Sequence, residues 1–136
     1  MNTILRGFLV TTVIYCVVHG YPLNDKEKEC VDQHKLNKTN IEAWNVQPLI
    51  PVENKEMGKF FACYWKKLGY QKENGEIDYI KLSEAVHDDL KGRFYSDCLH
   101  IVAFVVDNCR KSVEENDDLK VLKLWNCLNV YTENLF

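Results

Sequence analysis

His87, Asp88 and Asp89 stand side by side, the combination of imidazole and carboxylates used by metal sites and acid–base catalysts. Consecutive residues on a helix point in different directions, so the trio makes a poor chelate and reads as a solvated helix end. His100 follows Asp97 by one helical turn, a spacing suited to an ion pair or a pH sensor, although an ordinary helix-surface or half-buried histidine explains it as simply. Asn74-Gly-Glu-Ile77 resembles the middle of a helix–loop–helix calcium loop. With Gly75 at the sixth position, the first and twelfth would be Tyr70 and Lys81, and neither is the carboxylate that calcium needs there. The three serines, at 83, 96 and 112, sit in no G-x-S-x-G elbow, and no glycine-rich phosphate loop is present. The expectation is a protein that is not an enzyme and needs no cofactor or metal.

The cysteines say more. Arg6 is the only formally charged side chain in the first twenty residues, and Gly7 to Val18 is an apolar run too short to span a bilayer comfortably. Val18-His-Gly20 offers a cleavage site, so residues 1–20 read as a signal peptide and 21–136 as one mature domain, secreted and extracellular. Cys16 leaves with the leader, and Cys30, Cys63, Cys98, Cys109 and Cys127 remain. Secretion makes disulfides the default state of such residues, and an odd number leaves one over. No C-x2-C pair points to structural zinc. The formal net charge is −3 and no Lys/Arg run exceeds two residues, which excludes a nucleic-acid-binding stripe. Asn37-Lys-Thr39 is a glycosylation sequon.

The elements that must hold these residues read as helices throughout. Asn24 caps a helix from Asp25 to about Leu36, with Asp25 and Glu27 in its first turn. Thr39 or Asn40 caps a short one through Val46 that carries Trp44, and Pro48 and Pro51 break the chain. Met57, Phe60, Phe61, Tyr64, Trp65 and Leu68 recur at three- and four-residue spacing, giving a helix from about Glu53 to Leu68 with Gly69 at its left-handed stop. Asn74-Gly75 is a turn. Asp78 opens a helix to about Asp88, with Ile80, Leu82 and Val86 apolar, and Gly92 punctuates. Phe94 to about Val113 is so continuously apolar that it reads as a buried central helix. Asn116, Asp117 and Asp118 cap a last helix to about Tyr131, followed by a short tail from Glu133. The expected fold class is all-α, a compact bundle of about six helices.

Cys63-Tyr-Trp-Lys-Lys-Leu-Gly69 followed by Glu73-Asn-Gly-Glu-Ile-Asp78 resembles the stretch after the third cysteine in insect general odorant-binding proteins, where Lys-Leu-Gly precedes an acid-Asn-Gly turn. That family has six cysteines, with three residues between the second and third and eight between the fifth and sixth. On this frame Cys30, Cys63, Cys109 and Cys127 take the first, third, fourth and sixth positions. Lys59 and Asp118 stand where the second and fifth would be. Both halves of one bridge are missing together, the pattern of the cysteine-poor subgroup called C-minus. The stretch from Cys63 to Cys109 is longer than the family norm and holds the extra Cys98, read as a buried free thiol, with an intermolecular disulfide as the alternative.

The resemblance implies the pairs Cys30–Cys63 and Cys109–Cys127, which close loops of 34 and 19 residues and contribute roughly 3–4 and roughly 3 kcal/mol by chain entropy. Loss of the third bridge implies a looser junction between the third and last helices. Lys59 and Asp118 could pair there for at most ~1 kcal/mol if exposed, and Asp118 serves equally as a first-turn acid. The implied activity is that of a carrier holding a small hydrophobic ligand, an odorant, pheromone or similar, in an apolar cavity. The matching cavity positions are Phe61 and Trp65, Val102 and Val106, and Leu124 and Leu128, with Trp44 covering one side and Tyr70 and Tyr131 as polar handles. The implied partners are the ligand and a membrane chemoreceptor, the protein acting as a monomer or weak homodimer. Two rival readings are a salivary D7-type scavenger of biogenic amines and a secreted helical signalling protein with a filled core.

Overall fold

A computed structural model describes residues 22–93, 99–114 and 119–134. The expectations about the leader, Cys98 and Asp97, the Asn116–Asp118 cap and the Lys59–Asp118 pair therefore lie outside the described residues. Within them the chain is all-α, with six helices and no strand beyond a single isolated bridge. None of these helices is long and apolar enough to cross a membrane. The helices are α1 (Asp25–Gln33), α2 (Lys38–Asn45), α3 (Lys55–Leu68), α4 (Tyr79–Arg93), α5 (Leu99–Lys111) and α6 (Lys120–Asn134). The disulfides are Cys30–Cys63 and Cys109–Cys127, as the resemblance implies. The chain divides into two compact units, the first ending at Gln47 and the second running from Pro48.

In the first unit α1 starts at a reciprocal capping box. The Glu27 N–H donates to Asn24 Oδ1 at 2.9 Å, and the Asn24 N–H donates to Glu27 Oε2 at 2.7 Å. The helix ends three residues before the expected Leu36. Lys35 adopts a left-handed φ of 51°, the Leu36 N–H returns to the Val31 carbonyl and the Lys35 N–H to that of Asp32. This is the two-bond C-terminal stop that usually uses glycine, built here on a lysine, which is why periodicity alone runs past it. The cap of α2 is Asn37, accepting from the Asn40 N–H at 3.1 Å, rather than Thr39 or Asn40. The sequon asparagine is thus itself a helix cap. Cys30, Val31 and Ile41 are buried.

The second unit is built on α3. Asn54 caps it by accepting from the Met57 N–H, and Gly69 ends it at φ 81°. The Tyr70 N–H returns to the Trp65 carbonyl at 2.9 Å, and the Gly69 N–H to that of Lys66. The chain then makes a short hairpin, with Gln71 bridged to Ile77 and Gly75 at φ 89° in the turn, before Asp78 caps α4 through the Lys81 N–H. The Asn74–Gly75 pattern is therefore a turn, with Asn74 Oδ1 accepting from the Glu76 N–H. α4 continues past Asp88 and through Gly92, since one glycine at a helix end costs only ~1 kcal/mol.

α6 packs against both α3 and α5, and α5 packs against α4. Phe61 of α3 meets Trp125 of α6 with ring centroids 5.0 Å apart, and the Cys109–Cys127 bridge ties α5 to α6 at a Cα–Cα distance of 5.7 Å. Asn126 fastens the Pro-rich entry segment: its Nδ2 donates to the Ile50 carbonyl at 2.7 Å and its Oδ1 accepts from the Ile50 N–H at 2.9 Å. Ile50 is buried, so both of its backbone groups depend on this one side chain.

α5 is not buried all round: Val102, Val105, Val106 and Cys109 face inward, while Leu99 and Phe104 are 56% and 61% exposed. A continuous apolar run spreads over the whole circumference of a helix, and neighbours at α4 and α6 cover only part of it. Ile80 is likewise exposed, leaving Leu82, Val86 and Leu90 as the buried stripe of α4.

Asn126→Ala is expected to cost about 2 kcal/mol, because it orphans two buried backbone groups. A urea unfolding midpoint unchanged from the native protein would contradict this role.

Candidate ligand groove

α4 and α5 lie against each other in the second unit and leave an open groove of about 540 Å³ between them. Its floor and walls are helical stripes. From α5 come Leu99, Val102, Ala103 and Val106, and from α4 Tyr79, Ile80 and Ser83. Glu84, His87, Asp107 and Arg110 stand around it. The volume is within the range that suits a small organic ligand, and the surface is mainly aliphatic. Asp107 is occupied by Lys111, whose ammonium lies 2.6 Å from its carboxylate.

A second, smaller recess of about 270 Å³ adjoins it, lined by Asn74, Glu76, Ile77, Val113, Glu114 and Lys120 together with Tyr79 and Arg110. Tyr79 and Arg110 belong to both spaces, and the Arg110 guanidinium carbon lies 4.5 Å from the Tyr79 ring centroid. The aromatic face attracts the cation and holds it at the junction. Lys72 lies 3.1 Å from Glu76 and holds that carboxyl below its ordinary value, chiefly by hydrogen bonding and charge.

The nine expected contact positions separate into three groups. Val102 and Val106 line the groove. Phe61, Trp65, Leu124 and Leu128 are buried in helix packing and contribute to neither space. Trp44, Tyr70 and Tyr131 are half-buried. Tyr131 meets Phe104 edge-on at 6.1 Å, and Tyr70 meets Trp65 edge-on at 5.8 Å. Trp44 lies in the first unit, on α2.

Besides His87, the groove holds Tyr79, Ile80, Ser83, Glu84, Leu99, Ala103, Asp107 and Arg110, none of which was among the expected contact positions. The usable signal was the run Leu99, Val102, Ala103, Val106 and Arg110, spaced as one helix stripe that turns from apolar to cationic. His87, weighed as part of a metal trio, stands instead at the groove with Glu84.

Among the described residues no group of three or more His, Cys, Asp or Glu side chains is arranged to hold a metal ion. The arrangement offers apolar burial beside a polar junction in a helical fold stapled by two disulfides. A family model described as PBP/GOBP matches residues 22–130, and the chain belongs to that family, the insect odorant-binding proteins. Its members are secreted binding proteins for small hydrophobic ligands, not enzymes. Comparison with curated proteins and with solved structures returned no match.

Burial, and then the neighbouring Tyr64 and Asp88, push the Tyr70 phenol above its ordinary value of 10.0. The folded state then holds this proton more tightly than the unfolded chain, so its contribution to stability is complete below pH 10 and is lost as pH rises through the folded value. An alkaline absorbance titration should show one tyrosine ionising late, and Tyr70→Phe should remove that component. Identical titration curves for the two proteins would refute the assignment.

Proposed function

We propose that the mature chain, from Tyr21 after removal of residues 1–20, is an extracellular carrier that holds a small, mostly apolar ligand on the α4–α5 groove. The observation that carries this reading is an aliphatic groove of ligand size, with Val102 and Val106 in its lining, in a chain of the PBP/GOBP family. No bond is made or broken. Apolar surface removed from water supplies the binding energy at about 25 cal/mol per Å², and polar groups at the groove orient the ligand.

In this proposal Val102 and Val106 are the ligand-contact positions. Phe61, Trp65, Leu124 and Leu128 belong to the buried packing that keeps α5 in place, and Tyr70 and Tyr131 pack edge-on against Trp65 and Phe104, outside the groove lining. Lys59 and Asp118 at the second and fifth cysteine positions support a C-minus reading, in which the α3–α6 junction is left to Phe61, Trp125 and their neighbours.

The test is a titration of folded protein, residues 21–136, with an environment-sensitive hydrophobic fluorophore, followed by competition with long-chain alcohols, esters, fatty acids and amines. Saturable micromolar binding displaced by the apolar compounds is expected. Displacement by amines alone would move the protein to an amine scavenger, and no saturable binding would leave a surface-acting helical protein. Ala103 is exposed and lines the groove. Ala103→Trp should therefore weaken binding at least about tenfold by filling the groove, without loss of helicity. Unchanged affinity in that variant would place the ligand elsewhere.

A further inference from the structure

The groove changes character at one end. Antiparallel α4 and α5 bring Tyr79, the first residue of α4, against Arg110, near the end of α5. On one side of this pair lies the aliphatic groove with Ile80, Val102 and Val106. On the other lies the polar recess with Asn74, Lys120 and Glu114. An apolar trough that opens past a fixed guanidinium has the form of a seat for an amphiphile.

The charges at this junction select the head group. Arg110 has no carboxylate partner among the described residues, and its guanidinium is held over the Tyr79 ring. Lys120 also lines the recess. Of the carboxylates, Asp107 is matched by Lys111 and Glu76 by Lys72. That leaves Glu114 in the recess, and Glu84 further along the groove, more than a turn of α4 from Tyr79. At the Tyr79–Arg110 pair itself the charge is that of the guanidinium. A guanidinium presents paired N–H donors that match a carboxylate in the plane of the fork.

We propose that the groove takes an amphiphile with a carboxylate head, of the fatty-acid class, with its hydrocarbon tail along Ile80, Val102 and Val106 and its head on Arg110 at the entrance to the recess. This rests on the carrier reading above and adds the ligand class and the residue that selects it. Arg110 acts as the specificity-determining residue, and Tyr79 as the residue that positions it.

Three ligands of equal chain length, a saturated fatty acid, the primary alcohol and the primary amine, are competed at pH 7 against the bound fluorophore, below their micelle concentrations, on native protein and on Arg110→Gln and Arg110→Lys. The acid should bind more tightly than the alcohol and the amine. Arg110→Gln should weaken the acid about fivefold, the scale of a partly exposed charge pair, and leave the alcohol unchanged. Arg110→Lys should recover part of the loss. Equal affinity for acid and alcohol on the native protein, equal loss of both in Arg110→Gln, or tightest binding of the amine would each overturn the head-group assignment while leaving the carrier reading intact. Failure of all three ligands to displace the fluorophore would defeat the carrier reading itself.

Discussion

The second unit depends on the bond between Cys109 and Cys127, which fixes α5 against α6. α6 packs against α3 and α5, and α5 against α6 and α4, so the position of α6 is transmitted through the bridge to α5 and from α5 to α4. A bridge that closes 19 residues restricts the unfolded chain by roughly 3 kcal/mol, a large share of the stability of a small domain. With α5 tethered there, Val102, Val105, Val106 and Cys109 form its inward stripe. Arg110 comes next in register and is left at the edge, over Tyr79. The groove is what remains between two helices whose buried stripes are already satisfied.

Directional bonds refine what apolar packing begins. Phe61 against Trp125 is an apolar contact that many pairs of large side chains could replace with modest loss. Asn126 is different, because it serves the donor and the acceptor of the same buried residue, and a hydrocarbon of equal size would satisfy neither. The Pro-rich entry to the second unit is therefore specified by a polar group on the last helix, 76 residues away in the chain.

The groove has a mixed character that suits a carrier. In the proposed role its apolar lining would supply affinity without direction, and the pair Tyr79–Arg110 would supply direction without much affinity. A cation stacked on an aromatic ring has already lost part of its freedom, so less is lost when a ligand arrives. The exposed Leu99, Phe104 and Ile80 follow from the same economy of contacts: two helices packed side by side leave part of each circumference open.

Much of this was determined by local sequence. The Asn24 cap, the Gly69 stop and the Asn74–Gly75 turn each depend on residues within a few positions of one another, and each stands where local rules put it. The all-α class and the four paired cysteines followed from periodicity and from a resemblance carried by a few motifs. The stop of α1 at Lys35 and the cap of α2 at Asn37 are also local, made by bonds within five residues, but residue type alone did not single them out. Tertiary structure decided the rest, because it depends on which faces meet. α5, apolar on every side, buries only the stripe that α4 and α6 can reach, and the candidate site moved with it: Val102 and Val106 line a groove, whereas Phe61, Trp65, Leu124 and Leu128 went into packing. Local propensity can name a helix and its ends. It cannot say which side of an apolar helix will be covered, since that depends on the shape and register of elements far away in the chain.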